Sequence, residues 1–236
     1  MKITDTLFLI PARGGSKGLP RKNILPIGGK PMIYYSIDAA RGVTNDENIC
    51  VSTDDLEIIQ VVEDYGLKVQ FIRPAKLATD IAGSSEVIQH AIDFYKNSLN
   101  KNYSKICLLQ PTSPLRTTTH IFGAFNLWND GLDMVVSVKE SKVSPFYNLF
   151  DEDKFGYLKK FEVGTYFRRQ DAPQFWEFNG AIYIISIAAL SIKPMHEFTK
   201  IRKYVMEELS SHDIDTFLDL IVAESIISNC LIKLPE

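Results

Sequence analysis

The segment Thr6–Asn23, which reads TLFLIPARGGSKGLPRKN, decides the fold of this chain. Thr6–Ile10 is a short apolar run that predicts a buried strand, and a loop rich in glycine and basic residues follows it directly. Ligands of open α/β sheets bind beyond the carboxyl ends of the strands, where such a loop lies. We therefore expect an α/β fold whose binding site begins at this loop.

This glycine-rich loop (residues 12–23) combines conformational freedom with positive charge, in a chain whose formal net charge is −3. Glycines let a backbone approach a ligand closely, and successive amides can bind an anion. The loop lacks the spacings of a Walker A loop and of a dinucleotide fingerprint. Its composition is equally typical of a flexible basic surface loop, but its position after the first strand favours phosphate binding. Its glycines are Gly14, Gly15 and Gly18, and its cations are Arg13, Lys17, Arg21 and Lys22.

Beyond the loop, short apolar runs alternate with longer amphipathic segments. This rhythm predicts βαβ units, and so a mostly parallel sheet with helices on both faces in a single domain, residues 1–236. We expect Asp215 to cap the last helix. The predicted strands are Thr6–Ile10, Asn48–Ser52, Lys68–Ile72, Lys105–Leu109, Met134–Val138, Ala181–Ser186 and Tyr204–Met206. The predicted helices are Met32–Arg41, Leu56–Tyr65, Glu86–Tyr95, Ile121–Trp128 and Thr216–Ser228.

Residues 144–177 interrupt this rhythm. The segment is rich in aromatic and charged residues and is punctuated by Pro145 and Pro173. It predicts strands or a hairpin outside the main alternation, and we refer to it as the arm.

Composition restricts the class of protein. The 236 residues are 45% hydrophobic, which suffices for one sizeable core, and no basic excess is available to follow a nucleic-acid backbone. No window is long enough to span a membrane, and the apolar stretch at the start is too short for a signal peptide. Cys50 and Cys107 lie in apolar runs and are expected to be reduced, buried thiols, which fits a cytoplasmic protein.

Six blocks of sequence, in order, resemble the acylneuraminate cytidylyltransferases, also called CMP-sialic acid synthetases. The resemblance implies a Rossmann-like nucleotidyltransferase fold with a protruding dimerisation arm, a homodimer, and the use of CTP and Mg²⁺. It implies that the anomeric hydroxyl of a nonulosonic acid attacks the α-phosphorus of CTP and releases pyrophosphate, and we expect no additional hydrolase activity. The blocks are IPARGGSKGLPRKN (10–23), VSTDD (51–55), RPAKLATD (73–80), LLQPTSPLR (108–116), FNGAIYI (178–184) and HDIDTFLDL (212–220).

The resemblance assigns the nucleotide to the glycine-rich loop and to the segment that begins at Arg73. Phosphoryl transfer needs mainly positioning and neutralisation of charge, and Arg13, Lys17 and Lys22 are cations suited to hold a triphosphate and to stabilise departing pyrophosphate. Arg73 is alternatively a surface salt-bridge residue. The full set of predicted nucleotide-binding residues is Ala12, Arg13, Gly14, Gly15, Ser16, Lys22, Asn23, Arg73, Ala78 and Ser85.

The resemblance places the sugar near Gln110, which follows a predicted strand, and assigns the sugar carboxylate to Arg169 in the arm. Thr112 and Ser113 are equally well explained as turn residues, and Tyr183 is better explained as core. The predicted sugar-binding residues are Gln110, Thr112, Ser113, Arg169, Asn179 and Tyr183.

Asp213 and Asp215 are two residues apart, so on an extended segment both face one side. Two carboxylates are suitable oxygen ligands for Mg²⁺, and the family pattern places the metal at this segment. For Asp215, helix capping is the competing role.

Two alternatives remain open. One is a cytidylyltransferase for an eight-carbon acid of the 3-deoxy-manno-octulosonate type. The other is a non-catalytic nucleotide-binding module, for which the cationic loop would suffice without the carboxylate pair.

Overall fold

The chain alternates strands with helices, and the computed structural model describes residues 2–15, 18–79, 83–162, 164, 166 and 168–232. The described strands are β1 (Thr6–Pro11), β2 (Pro26–Ile27), β3 (Lys30–Pro31), β4 (Ile49–Ser52), β5 (Lys105–Leu108), β6 (Met134–Glu140), β7 (Phe150–Glu152), β8 (Leu158–Lys160), β9 (Trp176–Ser186) and β10 (Ile201–Val205). The described α-helices are α1 (Met32–Val43), α2 (Leu56–Asp64), α3 (Ser84–Ser98), α4 (Thr118–Phe125), α5 (Ile187–Leu190) and α6 (Phe217–Ser228).

Six of these strands form one mixed sheet in the order β10-β6-β9-β5-β1-β4. β1 pairs in parallel with both β4 and β5, and β10 pairs in parallel with β6. β9 is antiparallel to both of its neighbours, β5 and β6. The mostly parallel sheet predicted from the sequence is therefore confirmed.

Helices cover both faces of the sheet because side chains along a strand alternate between the faces. Phe8 and Ile10 of β1 pack in one core with α1, α2 and α4. Leu7 and Leu9 pack in a second core with α3 and α5. A third, smaller cluster joins α6 to the start of α1 and to β2. The carboxyl ends of β1 and β5 lead into the loops that carry the polar residues of the sequence blocks.

Cys50 and Cys107 are free, buried thiols, as predicted, while Cys230 is free and exposed. Burial raises the pKa of the Cys50 thiol to about 12 and also raises the pKa of the Cys107 thiol. Among the described helices, none combines the length and the apolar character that crossing a bilayer would require.

The prediction of a strand at Lys68–Ile72 is wrong. Beyond β4, this segment makes one isolated parallel bridge, between Thr53 and Ile72, and no continuous ladder. The Ile72 side chain is exposed, so the segment lacks the burial on both faces that its apolar residues suggested.

The predicted cap of the last helix is also wrong. Thr216, not Asp215, is the N-cap of α6. The Asp219 carboxylate accepts a hydrogen bond from the backbone N–H of Thr216, which completes a capping box. The Asp215 carboxylate is therefore available for another role.

The arm leaves the sheet after β6 and returns as β9. Within it, β7 and β8 form an antiparallel hairpin, as predicted for a segment outside the main alternation. Its apolar side chains face solvent, with Phe155, Tyr157, Leu158 and Phe161 between 61% and 72% exposed.

Candidate functional site

A cleft of about 560 Å³ opens at the carboxyl ends of β1 and β5. It gathers residues from the glycine-rich loop, from the segment after β4, from the turn after β5 and from the segment before α6. The predicted site residues that line it are Arg13, Lys22, Asn23, Arg73, Gln110, Thr112 and Asp215. Lining residues that the sequence did not single out include Leu77, Thr79, Ser84 and Val87.

The glycine-rich loop is fastened to the end of β4. The backbone N–H of Ala12 donates to the Ser52 carbonyl at 2.9 Å, and the N–H of Gly14 donates to Asp54 Oδ1 at 3.0 Å. A Cβ at Gly14 would lie 2.5 Å from Asp55 Oδ2, so only glycine fits this approach. The two acidic residues of VSTDD therefore set the position of the loop.

The second half of the loop is fastened to the segment before α6. A Cβ at Gly18 would lie 2.5 Å from the carbonyl oxygen of Asp215. Lys22 Nζ donates to Asp215 Oδ1 at 2.8 Å. The buried Asn23 side chain donates to the Arg13 carbonyl at 2.9 Å, which closes the loop on itself. Asn23 thus shapes the loop besides lining the cleft.

Arg73 lies at the floor of the cleft and is buried. Its Nε donates to Ser52 Oγ at 3.0 Å, and its Nη2 donates to the Ser52 carbonyl. Burial lowers the pKa of this guanidinium, while the nearby Asp54 carboxylate favours its charged form. Arg73 is therefore a cation fixed inside the site, which is inconsistent with a surface salt bridge.

The turn after β5 is held by Arg116, which is buried. Its Nη1 donates to the carbonyls of Ala181, at 2.8 Å, and Gln110, at 3.2 Å. Its Nη2 donates to Ser36 Oγ at 2.6 Å. Burial lowers the pKa of Arg116 to about 10, so the guanidinium stays charged at neutral pH. This one side chain connects the turn to β9 and to α1.

A second cluster of polar side chains lies around Gly180, next to the cleft. Ser113 Oγ donates to Asp213 Oδ1 at 3.1 Å. Gly180 has a φ of +77°, and a Cβ there would meet Ser113 Oγ at 3.4 Å, Gln110 Oε1 at 3.7 Å and Asp213 Cγ at 3.8 Å. Three polar side chains thus converge around Gly180, whose positive φ favours glycine.

The predicted donors for a hard cation are the carboxylates of Asp213 and Asp215. Mg²⁺ is usually bound by one or two carboxylates together with substrate phosphates and water. Within the described residues, no group of three or more His, Cys, Asp or Glu side chains is assembled for a metal. The donor set therefore fits a magnesium ion that arrives with a phosphate ligand, rather than one enclosed by protein alone.

Several predicted site residues lie away from the cleft surface. Ala12 is fully buried, and Ala78 is flanked by two residues that line the cleft without lining it itself. Ser85 faces a different depression, next to α5, because the first turn of α3 presents Ser84 to the cleft instead. Tyr183 packs on Phe178 and against the core, as its competing explanation predicted.

Asn179, a predicted sugar-binding residue, is buried and hydrogen-bonded within the protein. Its Oδ1 accepts from Ser137 Oγ at 2.6 Å, and its Nδ2 donates to Ser211 Oγ at 2.9 Å. Ser137 lies between Val136 and Val138, where the pairing of β6 with β9 shifts register. The Ser137 hydroxyl bonds both the N–H and the carbonyl of Ile182 there, and the buried Asn179 amide in turn bonds the Ser137 hydroxyl.

Three predicted site residues lie wholly or partly outside the residues that the structure describes. Ser16 and Lys17 lie outside the described residues. The backbone of Arg169 belongs to a short 3-10 turn, Arg169–Asp171, but its side chain is outside the description.

The sequence interpretation missed Arg116, Asp54 and Ser52 as residues that build the site. Each lies in a block that was noted: Ser52 ends β4 and Asp54 follows it closely, whereas Arg116 ends LLQPTSPLR, well beyond β5. A polar side chain at the carboxyl end of a parallel strand was the available signal.

Gly18 and Gly83 offer a matched test of this geometry. The Gly18→Ala variant should bind CTP roughly tenfold or more weakly, because its methyl group must push the loop away from Asp215. Nothing lies within 4 Å of a Cβ at Gly83, which precedes α3 outside the loop and has a negative φ, so Gly83→Ala should retain affinity within about twofold. Calorimetric titration of CTP into both variants provides the measurement. Equal affinities would show that the contact between the loop and Asp215 is unimportant.

Curated relatives of this chain include a cytidylyltransferase and a CMP-acid synthase. It is 35% identical over 226 residues to the N-acylneuraminate cytidylyltransferase of Escherichia coli, which covers 94% of this chain and 52% of the relative. This chain therefore spans about half the length of that relative. It is 33% identical over 230 residues to the CMP-N,N'-diacetyllegionaminic acid synthase of Legionella pneumophila, covering 94% of this chain and 95% of the relative.

The fold also matches solved structures. A CMP:2-keto-3-deoxy-manno-octonic acid synthetase complexed with CTP superposes with a TM-score of 0.65, covering 96% of this chain and 99% of that chain. The two sequences are 18% identical, so this likeness supports the Rossmann-like nucleotidyltransferase fold alone. The family model described as cytidylyltransferase matches residues 7–226, and this chain therefore belongs to the cytidylyltransferase family.

Proposed function

We propose that this protein transfers CMP from CTP to the anomeric hydroxyl of a nonulosonic acid and releases pyrophosphate. The observation that carries this proposal is the convergence of Arg13, Lys22 and Arg73 with Asp215 in one cleft. A triphosphate requires such a concentration of cations, and a transferred phosphoryl group requires a metal-binding carboxylate beside them. A non-catalytic nucleotide-binding module would not need the carboxylate.

Arg73 and Lys22 occupy different sides of the cleft in which the triphosphate would bind. Arg73 is fixed by Ser52 at the floor, whereas Lys22 comes from the glycine-rich loop at the other side of the cleft. When the α–β bond of CTP breaks, negative charge accumulates on the departing pyrophosphate. Fixed cations stabilise this charge without reorganisation, which is the largest contribution a protein makes to such a reaction.

The acceptor sugar is assigned to the turn after β5. Gln110 and Thr112 line the cleft there, and Arg116 fixes the backbone that carries them. Thr112 Oγ1 is buried without a hydrogen-bond partner among the described residues, so it is free to bond a ligand hydroxyl. Positioned in this way, the anomeric oxygen of the sugar bonds to the α-phosphorus as pyrophosphate leaves.

Mg²⁺ would be held by Asp213 and Asp215 together with phosphate oxygens of CTP. When bound there, it would neutralise charge on the triphosphate. The Asp213 carboxylate keeps one oxygen occupied by Ser113, which orients its other oxygen.

We also propose that the working form is a homodimer in which the arm completes the partner's site. The arm exposes large apolar side chains, and exposed apolar patches usually mark interfaces. A twofold dimer would bury both arms at once. The family resemblance gives Arg169 of the arm to the sugar carboxylate, for which the planar guanidinium is well suited.

Pyrophosphate release tests the reaction. With Mg²⁺ present, release should require CTP together with a nonulosonic acid, and a panel of N-acetylneuraminate, deaminated neuraminate, legionaminate, pseudaminate and 3-deoxy-manno-octulosonate identifies the acceptor. Lys22→Ala should reduce turnover by roughly 10²- to 10³-fold, because it removes a cation that contacts developing charge. Preference for ATP or UTP, or for a sugar phosphate, would refute the assignment, and preference for the octulosonate would favour the eight-carbon alternative.

Subunit mixing tests the dimer. Arg169→Ala and Lys22→Ala chains should each have little activity alone, but a heterodimer of the two contains one intact site and one doubly damaged site. After full exchange at equal concentrations, about a quarter of wild-type activity should return, since half of the dimers are mixed. Sedimentation velocity confirms the dimer, and native mass spectrometry confirms the exchange. No recovery despite verified exchange, or a fully active monomer, would place Arg169 in its own subunit's site or in neither.

A further inference from the structure

Lys22, which is expected to hold the triphosphate, is already paired in the protein alone. Its Nζ lies 2.8 Å from Asp215 Oδ1, one of the two carboxylates that fit a metal ion. The lysine side chain is 15% exposed, whereas the aspartate side chain is 70% exposed. The buried partner is therefore the cation, and the accessible partner is the anion.

The surrounding backbone enforces this pairing. Gly18 approaches the Asp215 carbonyl so closely that no side chain fits between the loop and the segment before α6. On the other side, the fully buried Ile214 fixes that segment, and its N–H donates to the Thr112 carbonyl at 2.8 Å. Because these contacts hold both the glycine-rich loop and the segment before α6 in place, Lys22 and Asp215 remain within hydrogen-bonding distance of each other.

We propose that Asp215 restrains Lys22 in the nucleotide-free site and releases it when the Asp215 carboxylate binds a divalent cation, so that this pair couples metal binding to CTP binding. The inference rests on the proposed function. Without a metal, a triphosphate must compete with Asp215 for Lys22 and is also repelled by that carboxylate. With a metal on Asp215, both obstacles disappear.

Such coupling is reciprocal by thermodynamic necessity. If Mg²⁺ raises the affinity for CTP by a given factor through this pair, CTP raises the affinity for Mg²⁺ by the same factor. Asp213 does not share the role, because its carboxylate is bonded to Ser113 rather than to a cation of the loop. The two aspartates of one segment therefore differ in function.

Calorimetric titration of CTP in EDTA, without sugar, tests the coupling. The Asp215→Asn variant should bind metal-free CTP about three- to tenfold more tightly than wild type, the scale expected for an ion pair between a mostly buried and an exposed side chain. Its affinity should respond less to Mg²⁺ than that of wild type. Asp213→Asn is the matched control, since it removes the same charge from the same segment but keeps the Lys22–Asp215 pair, and its gain should be clearly smaller.

A Lys22→Met background separates the pair from simple repulsion. There, Asp215→Asn should no longer improve metal-free binding beyond the gain of Asp213→Asn. Equal gains from the two aspartate variants in the wild-type background, or no gain from Asp215→Asn, would overturn the inference while the proposed function stands. If wild type fails to bind CTP even with Mg²⁺, the proposed function itself fails and the inference falls with it.

Discussion

The geometry of the site depends on one buried cation, Arg116. Its guanidinium is enclosed at the junction of three elements and donates to backbone or hydroxyl oxygens of each: the turn after β5, β9 and α1. These hydrogen bonds offset much of the cost of burying the charge, while Arg116 Nε has no partner among the described residues. The turn that carries Gln110 and Thr112 is therefore fixed with respect to the sheet, and the cleft has a rigid wall.

The glycine-rich loop forms another wall of the cleft, and close contacts at its glycines hold it in position. Gly14 rests against Asp55 and Gly18 against the Asp215 carbonyl, so the glycine-rich loop is held at two points. Asp54 accepts a hydrogen bond from the Gly14 amide. This bond ties the loop to the end of β4, the strand that also supports Arg73. The cations of the loop and Arg73 thus line one cleft, although the formal net charge of the chain is −3.

The alternating sheet, the covering helices and the hairpin of the arm were predictable, because each follows from hydrophobic periodicity along a short segment. The strand at Lys68–Ile72 was not, since an apolar run at a sheet edge reveals nothing about how many partners it finds. The cap of α6 was misassigned because Asp215 and Thr216 are both good capping residues, and only the backbone selects one. The burial of the Asn179 amide between Ser137 and Ser211 depends on long-range pairing of β6 with β9, which is invisible in the sequence. The cationic loop and the carboxylate segment were identified by chemistry and spacing, but their pairing through Lys22 needed the tertiary structure.

The most direct test of Arg116 as the anchor is urea unfolding, combined with CTP titration, of an Arg116→Met variant. The account predicts a loss of about 2–4 kcal/mol in the free energy of unfolding, since carbonyls of the turn and of β9 lose a charged donor, together with weaker CTP binding. Arg202→Met is the control, because the exposed Arg202 makes a single long hydrogen bond, at 3.4 Å, to the Leu127 carbonyl among those described. An Arg116→Met protein that unfolds at the wild-type urea midpoint and binds CTP normally would contradict the account.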